Sequence, residues 1–168
     1  MVILVLTTSL AAGCRNCAIP QPPTRTVTAS QAAAEAFAAR LAALASAQGA
    51  FTLAATEQEL TSYALANLAG TPVQDISIWL EPDGIHAQAT VGNASDHKVY
   101  AFMTVTCHEG VVQVELSYVA LDGHSVPRWI LASAEKALND ALADMQTSFQ
   151  IERIELSAGS VLVYGSIA

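Results

Sequence analysis

A chain of 168 residues suits one domain, since single domains commonly hold roughly 100–200. Hydrophobic residues make up 52% and charged residues only 13%, which excludes a disordered tail built from low hydrophobicity and high charge. Seven Lys and Arg against 15 Asp and Glu leave a formal charge of −8. That balance repels phosphate backbones and anionic headgroups, so no nucleic acid is expected among the partners. Three cysteines cannot build a disulfide scaffold.

Val2 to Leu6 are unbroken apolar, Thr7 to Ser9 are small, and Leu10-Ala11-Ala12-Gly13-Cys14 follows. An apolar run ending in small residues is the pattern of a secretory signal, and it is too short to span a bilayer. Ala-Ala-Gly-Cys resembles the bacterial lipobox, with Ala11 where that motif usually has Leu. The resemblance implies cleavage after Gly13 and a diacylglycerol on Cys14, hence a membrane partner through an N-terminal lipid anchor. Residues 1–13 are then the signal peptide and the expected location is the cell envelope. An ordinary cleaved secretion signal and an apolar first strand stay open as other readings. Cys17 completes a C-x-x-C spacing, but redox or metal use would need a strand-to-helix setting or a second cysteine pair. The segment 14–30, with Pro20, Pro22, Pro23 and several Thr, reads as an extended tether to a single domain over 31–168.

Gln31 to Gln48 is Ala-rich, with Phe37, Leu41 and Leu44 at helical spacing, and predicts a helix. Ala50 to Ala55 reads as a short strand with Phe51 and Leu53 on one face. Thr56-Glu57-Gln58-Glu59 is a capping box opening a second helix that Gly70 and Thr71-Pro72 end. From residue 75 the period changes to two. Ile76 to Glu81 and Ile85 to Val91 flank Pro82-Asp83-Gly84, and Lys98 to His108 and Val111 to Leu121 flank Glu109-Gly110; both read as hairpins. Pro127 to Ser148 predicts the longest helix, with Pro127 favoured in its first turn and Ile130, Ala134, Leu138, Ala141 or Leu142 and Met145 as its buried stripe. Trp129 and Leu131 fall off that stripe. Gln150 to Leu156 and Val161 to Ile167 form a final hairpin about Ala158-Gly159. Neighbouring strands without crossover helices make this an α+β chain with an antiparallel sheet.

The stretch from Thr56 to Ala168 resembles small bacterial members of the TULIP-like (tubular lipid-binding) group, close to the YpmS-like and LmeA-like envelope families. The residues carrying this are Thr56-Glu57-Gln58-Glu59-Leu60 with Tyr63, Ile78-Trp79-Leu80-Glu81-Pro82-Asp83-Gly84-Ile85, Val126-Pro127, Leu138-Asn139, and a closing hairpin that ends on Gly165. The resemblance implies a curved antiparallel sheet wrapped on the long helix, with acyl chains held between them. A lipid or other hydrophobic small molecule is thus the implied partner. The implied groove lining is Ile78, Ile85, Ala87, Val105, Val114, Leu116, Ile130, Ala134, Leu138 and Val163. A closed core made by the same apolar residues is the other reading of this pattern, and would make the chain an envelope scaffold.

Chemistry finds little support. The four histidines, at 86, 97, 108 and 124, lie on separate segments. His86 alternates with Ile85 and Ala87 and is expected on a polar face. Cys107, His108 and Glu109 are consecutive at a strand end, where side chains diverge. Ser125 beside His124 and Asp122 lacks a strand-to-helix elbow, and a turn and a helix cap are the expected roles of Asp122-Gly123 and Ser125. No catalytic residue, metal or cofactor is expected, and the chain is read as a non-enzyme.

Overall fold

Ser30 sets the start of the first helix because its Oγ accepts the orphan amide of Ala33 at 3.1 Å. In the computed structural model, which describes residues 20–92, 95–108, 110–145 and 149–167, this helix is α1, Gln31–Ala45. The expected signal peptide, Cys14 and Cys17 lie outside the described residues, as do Glu109 and residues 146–148 at the expected end of the long helix. β1 (Gly49–Thr56) follows, and Thr56 then caps α2 (Glu57–Asn67). Both bonds of the expected capping box are present: Glu59 N–H donates to Thr56 Oγ1 and Thr56 N–H donates to Glu59 Oε2. Phe37 of α1 meets Tyr63 of α2 edge-on at 5.3 Å, and Arg40 bonds Glu59 at 2.6 Å, so the two helices form one layer.

Next come β2 (Val73–Glu81), β3 (Gly84–Val91), β4 (His97–His108), β5 (Val111–Leu121) and the two-residue β6 (His124–Ser125). They pair antiparallel in the order β2-β3-β4-β5-β6. After α3 (Arg128–Met145), β7 (Phe149–Ser157) and β8 (Ser160–Ile167) join β1 in a second antiparallel sheet of order β1-β8-β7. The chain is therefore α+β, and its strands divide between two sheets. The hairpin tip links them, with Gly159 N–H donating to Leu80 O at 2.9 Å.

Three irregularities decide which residues share a face. In β5, Ser117 is the extra residue between Leu116, opposite Met103, and Tyr118, opposite Phe102. In β2 the register shifts between Gln74 and Ser77, where Asp75 takes a φ of 49°. In β7, Glu152 is extra, so Ile151 faces Gly165 and Ile154 faces Val163. Without that bulge, Ile151 and Ile154 would point to opposite faces.

Both edges of the five-stranded sheet are covered by side chains. Along β2, Thr61 Oγ1 accepts Ile78 N–H at 3.0 Å, and Glu57 Oε1 accepts Leu80 N–H at 2.6 Å. Along β5, Asn139 accepts Val114 N–H and donates to Val114 O, both at 2.8 Å. Glu135 Oε2 accepts Leu116 N–H at 3.0 Å and Arg128 donates to Leu116 O at 2.6 Å. The buried stripe of α3 therefore differs from the expected one. Leu131, 6% exposed, with Glu135 and Asn139 faces β5, while Ile130, Ala134 and Leu138 are exposed. The helix turns toward a strand edge because unpaired backbone amides there need polar partners more than apolar ones.

Candidate functional site

A large apolar space lies between α1 and the three-stranded sheet. Its volume is about 550 Å³, and all twelve lining residues are apolar. Leu41, Leu44 and Ala45 come from the last turns of α1; Val112 and Leu142 close it from β5 and α3. The sheet supplies the floor in cross-strand rows. Leu53, Val163 and Ile154 form one row; Phe51 and Ile151 flank Gly165 in the next; Ile167 and Phe149 make the third. A Cβ on Gly165 would come within 2.8 Å of the Phe51 ring, so the missing side chain is what lets that ring lie across the strand.

Of the ten residues implied by the resemblance, the cavity contains Val163 alone. Val114 and Leu116 are buried beneath α3, each 8% exposed. Ile78, Ile85, Ala87 and Val105 are half-buried on the face of the five-stranded sheet opposite His86. Ile130, Ala134 and Leu138 lie on the exposed side of α3. The sequence did carry a signal for the observed lining. Leu41 and Leu44 on one helical stripe, and Phe51 with Leu53 on one strand face, were each legible without a partner. What was missing was the bulge at Glu152, which alone gathers Phe149, Ile151 and Ile154 opposite them.

The other face of the five-stranded sheet is aromatic. His86 lies opposite Ile85 and Ala87 as alternation requires, but it is only 6% exposed, so its face is a buried aromatic one and not the polar face expected. Its ring lies tilted against Phe102 at 4.7 Å, and its Nδ1 shares a 2.8 Å hydrogen bond with Tyr100 OH. Burial pushes the imidazole below its ordinary pKa, against the pull of Asp83 and Glu81. Burial likewise pushes the Tyr100 phenol up to about 12. A smaller space of about 280 Å³ beside Tyr100 and Tyr118 is bordered by Pro20 and Pro22.

The second half of the segment read as a tether is bonded to the domain. Arg25 pairs with both carboxylate oxygens of Glu57 and with Glu81 at 2.5 Å, and donates to Leu80 O at 3.1 Å. Trp79 Nε1–H donates to Arg25 O at 2.8 Å, Gln58 to Thr28 O at 2.9 Å, and Ser30 N–H to Ser62 Oγ at 3.0 Å. These carboxylates raise the Arg25 pKa further, so its guanidinium stays charged.

One polar chain has the connectivity of a nucleophile, base and orienting acid, and it is not the set weighed from sequence. Ser95 Oγ lies 3.1 Å from His97 Nε2, and His97 Nδ1 lies 2.7 Å from Asp122 Oδ2. The His97 and Asp122 side chains are 49% and 44% exposed, without the water-excluded setting that electrostatic catalysis uses. Asp122 Oδ1 also accepts Lys98 N–H at 2.8 Å, so the chain ties the start of β4 to the turn after β5. His97 and that amide together hold the Asp122 carboxyl below the usual range. The half-buried Cys107 thiol donates to Ile151 O at 3.2 Å, while His108 is exposed. Among the described residues, no group of three or more His, Cys, Asp or Glu is placed to hold a metal ion. Nor is any described helix long and apolar enough to cross a membrane. No family model matches the chain, and no curated protein matches it significantly.

Proposed function

We propose that this is a non-enzymatic, membrane-anchored envelope protein of TULIP-like type that takes up or shields an acyl chain or a similar hydrophobic ligand. The observation that carries the reading is the cavity of about 550 Å³ whose lining side chains are all apolar. Its size falls within the roughly 300–1,000 Å³ typical of small-molecule sites. An ordered water needs several polar partners, and none of the lining side chains supplies one. A hydrocarbon ligand gains about 0.8 kcal/mol for each CH₂ it buries there. With no polar side chain to orient a head, the lining suits a chain better than a functionalised metabolite.

The exposed side of α3 extends the same surface. Ile130, Ala134, Leu138 and Leu142 recur every four residues, so each lies one turn from the next along a slanting row, and Leu142 is part of the cavity wall. This gives the ligand an apolar approach along the helix. A sheet curved around α3, as the resemblance implies, belongs to the same proposal. So does anchoring through a lipid on Cys14.

Native mass spectrometry after mild detergent extraction tests it. Co-purifying lipid is expected with the wild-type chain, and Val163→Phe, which fills the floor of the cavity, is expected to abolish loading while the fold persists. Protein that is empty in every preparation, together with a loss of about 1–3 kcal/mol on Val163→Phe from overpacking, points instead to a scaffold with a closed core.

A further inference from the structure

Unlike the two edges of the five-stranded sheet, the outer edge of β1 is bare. β1 pairs with β8 without a break from Gly49 to Thr56, and nothing in it is charged, proline or bulged. These are the devices by which exposed edges avoid pairing with other chains. The register identifies the unpaired groups. Ser157 and Ser160 close a two-residue turn, so Ser160 directs its N–H and C=O to β7. Alternation then turns Val161, Val163 and Gly165 toward β1, and leaves the backbone groups of Ala50, Thr52 and Ala54 pointing away from β8. Thr56, on the same alternation, already sends its N–H outward to Glu59. Among the described residues, Ala50, Thr52 and Ala54 have no hydrogen-bonding partner on that side.

We infer that this edge is a homodimer interface in which β1 pairs antiparallel with β1 of a second copy about a two-fold axis at Thr52. The strand is complementary to itself. Ala50 then lies opposite Ala54 of the second copy, Thr52 opposite its own equivalent, and each pair exchanges both N–H···O=C bonds. Small exposed side chains leave room for the approach, and a Thr pair is a favourable cross-strand contact. In a chain of net charge −8, repulsion between copies is least where the strand is neutral. On the opposite face, Phe51 and Leu53 line the cavity, and pairing sets them beside Leu53 and Phe51 of the second copy. The two apolar cavities therefore meet across a six-stranded sheet. That last consequence rests on the hydrophobic-ligand reading; the strand pairing does not.

The full chain in mild detergent, examined by sedimentation and native mass spectrometry, is expected to show twice the protomer mass. Thr52→Lys, which opposes two like charges at the axis, is expected to give monomers with unchanged circular dichroism. Thr52→Pro removes only an outward N–H, so it too is expected to give folded monomers, while Thr52→Ser stays dimeric. A wild-type chain that is monomeric at its highest soluble concentration, leaving β1 for some other polypeptide, overturns the inference. So does a dimer that survives Thr52→Lys. The same spectra read the ligand separately: loaded monomers sink the pairing and spare the carrier, whereas empty dimers do the reverse.

Discussion

His86 illustrates how a single side chain responds to a change of setting. Alternation with Ile85 and Ala87 places it on the face opposite theirs, and that face turns out to be closed by Phe102, Tyr100 and Tyr118. Because burial lowers its pKa in the folded chain, the unfolded chain takes up a proton first, near the ordinary value of about 6.5. The unfolded state then binds more protons, so stability falls as pH drops below that value and levels off only below the folded pKa. Thermal melts from about pH 7 down to pH 5 should show this decline, and His86→Gln should flatten it. An equal slope in the variant would remove His86 as the cause. Two carboxyls act lower in the scale. Burial alone would raise Glu59, but its bonds to Arg40 and Thr56 outweigh that and hold it below its ordinary value of 4.5. Asp122 is also held low, so both give up stability only as pH falls through the acid end of the carboxylate range.

At the scale of elements, helix ends were the most legible features. The Thr56 to Glu59 box and the apolar repeat after it depend on residues within one turn of each other, and both cap bonds form. Strand pairs were legible for the same reason, since each hairpin carries its own turn. The side to which each helix docks was not legible, because polar residues at helical spacing look like a solvated face. Asn139 and Glu135 instead supply the backbone partners that β5 lacks. Asn139→Ala should leave the buried Val114 N–H and C=O without partners and cost about 1–3 kcal/mol, read by urea unfolding at unchanged m-value. A loss within about 0.5 kcal/mol, the range of ordinary surface substitutions, would show that α3 holds the edge by apolar contact instead.

Across the whole molecule, the anchor and the cavity make separate claims that can fail separately. Cys14→Ser should release the protein from membranes without altering ligand loading, if the lipid on Cys14 is the tether and the cavity is the site. Membrane fractionation unchanged by that substitution would remove the anchor and leave the cavity proposal standing. Arg25, Thr28 and Ser30 lie against the domain, so the slack between such an anchor and the fold ends before residue 25. Amino-acid order alone determined that this chain is α+β with antiparallel strands, where its helices begin, and which short stretches are apolar on one side. Caps, turns and alternation are local, and a residue needs only its near neighbours to obey them. Only the tertiary structure decided that the strands divide into two sheets and that α3 serves an edge. It also decided that the apolar cavity lies under α1, lined by Leu41 and Ile154 and not by Leu138 and Ile85. Those outcomes depend on single extra residues in β5 and β7, and on unpaired amides seeking partners far along the chain. Neither leaves a periodic trace.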